Sequence, residues 1–368
     1  MTKNWYNDMA ILGRSCWPFA IAALTITLFS GCGSSPQTPE SGATEGEETA
    51  PMVVATSSIL CNLAEQIAEA TIDLTCLMGA GIDPHVYQPT PEDRKAIEDA
   101  ELILYNGYDF EPSLENLIAS TTNPAPKVAV AEVAIANPIM GEPHHHDHGD
   151  SHDHSHDNDH DHDHGSHAHN GHDPDHGAAA SAELAPDPHV WHSAENGIQV
   201  VAVIRESLTQ LVPEQSTFYE QNAQTLKAEL AEIHDWIQAQ IATIPANQRQ
   251  LVTTHDALQY YGDAYGLTIE GALQGLSTEQ SPTATRIREL VDAVQDAEVP
   301  TIFAEVTANP NVLQTIARDA GVQVSEQKLF ADGLGEPGSG GDTYQTMLLT
   351  NTETIVRGLG GQSTAFVQ

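Results

Sequence analysis

Four residues have the types and the setting to hold a metal ion: His85 in GIDPHVYQP, His189 in PDPHVWHS, His255 in VTTHDALQYY and Asp332 in LFADGLG. Each lies in a loop just after a run that reads as a strand, or opens a helix. In open parallel sheets ligands collect at the carboxyl ends of strands, so side chains with this address can converge. Three neutral imidazoles and one carboxylate make a tetrahedral nitrogen–oxygen site, which suits the size and borderline softness of Zn2+. A loop histidine standing alone is more often a solvated or capping residue than a ligand. What argues otherwise is the string Asp-Pro-His-Val, present at 83–86 and again at 187–190. Pro84 and Pro188 fix the backbone leading into each histidine. Asp332 has two other readings, a turn residue beside Gly333 or an acceptor that steadies a histidine ring. Imidazoles bind metal only when neutral, so affinity is expected to fall as pH drops through about 6.5.

A second concentration of metal-binding groups lies between residues 144 and 176. It holds His144, His145, His146, His148, His152, His154, His156, His160, His162, His164, His167, His169, His172 and His176, which are 14 of the 19 histidines, with 9 aspartates. Such a stretch has no residues for a packed core and reads as a disordered insertion. It is expected to act as a low-affinity, multi-site auxiliary trap for zinc; the alternative is a solubilising linker with incidental affinity. Of the remaining histidines, His192 reads as a surface helix position, with a supporting or alternative-ligand role as the other possibility. His234 reads as solvated or partly packed.

The elements that must position these groups alternate. MVVAT from Met52, the run Asp73 to Met78, ELILYNG and KVAVAE read as strands, with helices between them at Ser58 onward and at Pro91 to Ala100. The segment DPHVWHSAENG opens a helix that carries Ile198, Val201, Ile204 and Leu208. Apolar residues at Tyr219, Ala223, Leu226, Leu230, Ile233, Ile237 and Ile241 then keep a spacing of three or four, which predicts one long amphipathic helix from about Pro213 to Ile244. Alternation restarts with QLVTT, LTIEGAL, PTIFAEV and the stretch near VQVSEQKLF, with helices at Thr285 to Ala297 and Val312 to Ala320. The fold class expected is α/β: two (β/α) lobes with parallel sheets, residues 51–212 and 245–368, joined by a rigid linker helix over 213–244. The metal site would lie in the cleft between them.

The chain has 368 residues and a formal net charge of −39, with 13 Lys plus Arg against 52 Asp plus Glu. That balance excludes nucleic acid as a partner, because phosphate binding depends on Lys and Arg. Residues 1–32 read as an export signal: Lys3 and Arg14 precede an apolar run from Trp17 to Phe29, too short to span a bilayer, and Ser30-Gly31-Cys32 follow. Cys32 is the expected lipidation site of a bacterial lipoprotein, with an ordinary cleaved secretory signal as the alternative. Either places the protein outside the cytoplasm, in the periplasm or at the cell surface, with lipid as its sole membrane attachment. Residues 33–50 read as a flexible tether. Cys61 and Cys76 are a possible disulfide in an oxidising compartment, or two separate buried thiols.

With these motifs together, the sequence resembles the substrate-binding proteins of bacterial zinc and manganese ABC importers, the ZnuA-like family. The resemblance rests on the early DPHVY, DPHVW, the linker helix from FYEQNAQTLKAEL, GLSTEQSPT, FAEVTANP and LFADGLGEPGSGGDTY, and runs from about Met52 to Gly360. It implies two (β/α) lobes and a rigid helix, His85, His189 and His255 as ligands with Asp332 as the fourth, and delivery to an ABC permease driven by a cytoplasmic ATPase. Manganese members tend to carry Glu where this chain has His255, which favours zinc as the transported ion; the tail GEPGSGGDTY leans toward manganese members. A manganese-preferring protein, or a periplasmic zinc buffer or adhesin, is the alternative. A zinc hydrolase would need an open coordination position and a general base. With Asp332 in the fourth position and no HExxH helix, the chain is not expected to be an enzyme, and a monomer is expected.

Overall fold

A computed structural model describes residues 50–141 and 184–367. The export signal with Cys32, the tether to residue 49 and the histidine-rich insertion lie outside the described residues.

The N-terminal lobe is built on a parallel sheet of β1 (Met52–Ala55), β2 (Asp73–Cys76), β3 (Leu102–Tyr105) and β4 (Lys127–Ala129), in the order β2-β1-β3-β4. Val53, Val54, Ile103 and Leu104 are fully buried, as central parallel strands covered on both faces require. The crossovers are α1 (Ser58–Ala68), α2 (Pro91–Asp99) and α3 (Pro112–Ser120). Ser57 caps α1 by accepting from the Leu60 amide, and Thr90 with Asp93 forms a capping box on α2. The segment KVAVAE leaves the sheet sooner than its sequence suggests. Its second half turns into α4 (Val130–Ala134), burying Val130 and Ala131. A short antiparallel pair, β5 (Met140–Gly141) and β6 (Ala185–Pro186), precedes α5 (Ala194–Leu211). Cys61 on α1 and Cys76 at the end of β2 are joined as a disulfide.

The linker helix is α6 (Ser216–Ile241), 26 residues and about 39 Å at 1.5 Å per residue. It is shorter than the expected 213–244, because Pro213–Gln215 form a 3-10 turn. Its apolar stripe is buried as the spacing required, Tyr219 through Ile241. The first half grips the N-terminal lobe: Tyr219 pairs its hydroxyl with Thr71 at 2.8 Å, and Asn222 donates to the Ile67 carbonyl at 3.0 Å. The second half grips the C-terminal tail, where Gln240 accepts from the Thr364 amide at 2.8 Å and Trp236 donates to the Thr364 carbonyl.

The C-terminal lobe carries two parallel pairs, β7 (Gln250–His255) with β8 (Thr268–Gln274), and β9 (Thr301–Ile302) with β10 (Gln323–Val324). The Phe303 amide donates to the Val252 carbonyl at 2.9 Å and links the two pairs. The last two strands are much shorter than their apolar runs, with a single bridge, Glu305 to Leu329, continuing the pairing. Around them lie α7 (Gln259–Tyr265), α8 (Ala284–Ala297), α9 (Pro310–Ala320) and α10 (Tyr344–Gly358). One apolar cluster runs unbroken from Val53 and Leu63 through Leu230 and Ile237 to Ile302 and Ile355. Lobes that share such a core resist wide hinge motion. Among the described residues no helix is long and apolar enough to cross a membrane.

Candidate metal centre

His85, His189, His255 and Asp332 come together, each buried, with one donor atom apiece inside a group spanning no more than 4.8 Å. His255 ends β7. His189 precedes a 3-10 turn, Val190–His192, ahead of α5. Asp332 follows the strand-like run that bridges Glu305, and His85 sits in the irregular stretch between β2 and α2. Three Nε2 atoms face one carboxylate oxygen. From Asp332 Oδ1 it is 2.9 Å to His255, 3.5 Å to His189 and 3.6 Å to His85, and the two nitrogens of His189 and His255 are 3.4 Å apart. Ligand bonds of about 2.0–2.1 Å at tetrahedral angles place donors roughly 3.4 Å from each other. The four separations given, 2.9 to 3.6 Å, are those expected of donors around a tetrahedral ion.

The groups behind the donors are unequal. Asp187 Oδ1 accepts from both the backbone amide of His189 (2.9 Å) and its ring Nδ1 (2.7 Å). Glu305 accepts from the amides of Thr254 and His255 with Oε1 and from the His255 ring Nδ1 with Oε2. In both cases the carboxylate keeps the proton on Nδ1 and turns the Nε2 lone pair inward. Thr307 donates to Asp332 Oδ2 at 2.8 Å, leaving Oδ1 for an ion. His85 has no such partner: neither ring nitrogen makes a hydrogen bond among the described residues. Its ring is positioned by the edge contact with Phe110, centroids 5.2 Å apart.

The electrostatics follow. Burial pulls the His255 imidazole down, but the carboxylates of Asp332 and Glu305 outweigh it and hold it well above the ordinary value. His189 ends above the ordinary value too, burial being outweighed by Asp187 and Asp332. Burial drives His85 down, with its contact to Asp332 opposing. Asp332 is held well below the carboxylate range, because the histidines outweigh its burial. An incoming cation must displace the proton that His255 retains, so proton competition starts at higher pH than the free imidazole value suggests.

Asp187, Glu305 and Thr307 did not stand out in the sequence as site residues. Asp187 could have, since it is the Asp of the repeated Asp-Pro-His. His192 needs correction: it is fully buried, not a surface position, and its Nε2 lies 2.9 Å from the Ala331 carbonyl. Helix α5 starts only at Ala194, so residues 190–192 turn inward, and burial pushes the His192 ring down to about 3. Trp191 Nε1 donates to the same carbonyl at 3.2 Å, so this turn braces the residue before Asp332. His234 is partly packed against Tyr265 and beside Gln238. The histidines of residues 144–176 lie outside the described residues.

A buried acid lies behind the centre. Glu111 Oε1 accepts from the Thr56 hydroxyl (2.6 Å) and the Asn106 amide (2.8 Å), and Asn106 in turn donates to the Pro188 carbonyl beside His189. Burial, then the nearby Glu115 charge, push Glu111 up to about 8. An unfolded glutamate titrates near 4.3, so between those values the folded chain holds the extra proton and stability falls as pH rises. Glu111→Gln keeps the accepting oxygen and removes the titration. It is expected to stabilise the protein by on the order of 4 kcal/mol at pH 8 and by only about 1 kcal/mol at pH 5, read by denaturant unfolding. Equal stability of the two proteins at pH 8 would show that the buried carboxylate carries no such burden.

Residues 53–358 match the family described as zinc-uptake complex component A, periplasmic. The manganese-binding lipoprotein MntA of Halalkalibacterium halodurans is 28% identical over 346 residues, 94% of this chain and 99% of that protein. The manganese ABC transporter substrate-binding lipoprotein PsaA of Streptococcus pneumoniae is 28% identical over 307 residues, 83% of this chain and 88% of that protein. Among solved structures, the periplasmic zinc binding protein TroA from Treponema pallidum superposes with a TM-score of 0.69 at 27% identity, covering 84% of this chain and 99% of that one.

Proposed function

Because the chain belongs to the zinc-uptake complex component A family, we propose that it captures Zn2+ outside the cytoplasm at His85, His189, His255 and Asp332 and hands it to an ABC permease. The family consists of the substrate-binding proteins of metal ABC importers, which are not enzymes. The observation that carries the reading is the buried group of three Nε2 atoms and one carboxylate oxygen within 4.8 Å. Three nitrogens favour a borderline ion over a hard one, and Thr307 on Oδ2 leaves Asp332 one oxygen to give, which suits four-coordination. Cys32 would carry the lipid that keeps the protein at the membrane, and the histidines of residues 144–176 would concentrate zinc near the centre.

Manganese is the second reading, favoured by the relatives MntA and PsaA, both described as manganese proteins. A competition titration of the metal-free mature protein with Zn2+ and Mn2+ separates the two. One tight zinc site is expected, unchanged when residues 144–176 are deleted. In His255→Glu the zinc-over-manganese preference is expected to fall by at least about tenfold, because a second carboxylate hardens the site. Tight binding that vanishes with the insertion would make the protein a histidine-rich metal buffer instead; manganese preference in the unmodified protein would establish the second reading.

A further inference from the structure

Asp83 occupies the first position of one Asp-Pro-His string and Asp187 that of the other, yet they are wired differently. Asp187 spends a single oxygen on its histidine's amide and ring. Asp83 divides its oxygens: Oδ1 accepts from the His85 amide at 3.1 Å, and Oδ2 accepts from the Thr278 hydroxyl at 2.6 Å, 195 residues along the chain in the other lobe. Thr278 stands on a loop that is itself pinned, since Gln274 at the end of β8 donates to the carbonyls of Thr278 (2.9 Å) and Gln280 (2.7 Å). Four residues earlier than His85, the Gly81 amide reaches the Leu334 carbonyl at 3.2 Å.

The ligand that this wiring holds is the one most free to leave. His189 and His255 are fixed by carboxylates at Nδ1 and rest against the continuous core, whereas no protein group fixes the His85 ring nitrogens. Its segment carries no regular secondary structure, and its neighbours Ile82 and Val86 are 42% and 45% exposed at the surface. A core shared by both lobes leaves this segment as the part that can swing clear to admit or release an ion.

Resting on the metal-capture reading, we propose that the Asp83–Thr278 hydrogen bond is an interlobe latch that sets how long a captured ion stays. Asp83 and Thr278 are positioning residues: they touch no ion, and act by keeping His85 over the other three donors. The latch forms after the ion has met His189, His255 and Asp332, so it governs release and leaves capture unchanged.

Stopped-flow transfer of bound Zn2+ to a chelator, with association measured separately, tests this on the mature protein. Thr278→Val removes the hydroxyl and leaves the Asp83–His85 contact in place. Release is expected to quicken about tenfold, the loss of one hydrogen bond to a carboxylate, with association within about twofold of the unmodified protein. Thr278→Ser restores the hydroxyl and is expected to return release to the original rate. Asp83→Asn keeps an accepting oxygen for one partner only and is expected to fall between them. Unmodified protein that binds zinc tightly, while Thr278→Val releases it at the same rate, overturns the latch alone. Capture slowed as much as release is quickened also overturns it, since that marks a general loosening of the fold. Unmodified protein that binds neither Zn2+ nor Mn2+ overturns the centre and the latch together.

Discussion

Replacing Asp332 by alanine is expected to lower zinc affinity at least about a hundredfold, beyond the range seen when only an outer partner of a ligand is lost. Its Oδ1 is the hub of the centre, 2.9, 3.5 and 3.6 Å from the three imidazole nitrogens. Within the donor group it supplies the sole negative charge. Without it a divalent ion would sit among neutral rings in a site closed to water, where uncompensated charge is costly. One effect opposes the loss. Asp332 is the strongest of the charges raising His255, so removing it eases the proton that zinc must displace. Each pKa unit recovered there gives back at most tenfold, which is smaller than the loss of the charged ligand. Asp332→Asn keeps the shape and one oxygen for the ion, with its NH2 turned to donate to the Thr307 hydroxyl, and is expected to lie between alanine and the natural residue. Competition titration gives all three constants. Alanine at 332 binding zinc as tightly as aspartate would move the fourth ligand elsewhere.

What could be read in advance divides along the range of the interaction. The stripe on α6 repeats every three or four residues, a local signal, and it is buried throughout. Its start was overextended because Pro213 begins a 3-10 turn, which periodicity does not distinguish from helix, and its end because residues 242–244 turn after Ile241. That these four side chains would meet was legible from their expected address beside strands and helix starts and from the repeated string at 83–86 and 187–190. The two aspartates of that string looked equivalent and are not, because Thr278 comes within reach of one only through tertiary folding. Glu305 stayed silent for the same reason. Its partner His255 is 50 residues away, and they meet because the run after β9 lies beside β7. His192 was misread because a helix was taken to start before it, whereas the 3-10 turn that Val190–His192 forms points its ring under Ala331. The continuous core beneath both lobes is a sum of contacts distant in sequence, and no single segment announces it.

The outer partners offer the sharper test of how the site is held. Glu305→Gln is expected to weaken zinc binding by about 10- to 100-fold, and Asp187→Asn by clearly less. The two carboxylates do the same work through different atoms. Glu305 uses both oxygens, Oε1 for the amides of Thr254 and His255 and Oε2 for the ring. A glutamine has one acceptor for these two sets of donors. If its oxygen stays on the amides, its NH2 faces the N–H of the ring, and the ring must move its proton to Nε2, the atom the ion needs. If the amide flips, the NH2 meets two backbone N–H groups and β7 loses its end. Asp187 instead serves ring and backbone with Oδ1 alone, while Oδ2 is buried with no hydrogen-bond partner among the described residues. An asparagine keeps that oxygen in place and puts its NH2 where nothing is donated. Both variants lose one negative charge near the ion, so charge alone predicts similar losses. Zinc constants measured side by side decide it: a Glu305→Gln loss no larger than that of Asp187→Asn would mean that charge, and not the orientation of the ring, is what these carboxylates supply.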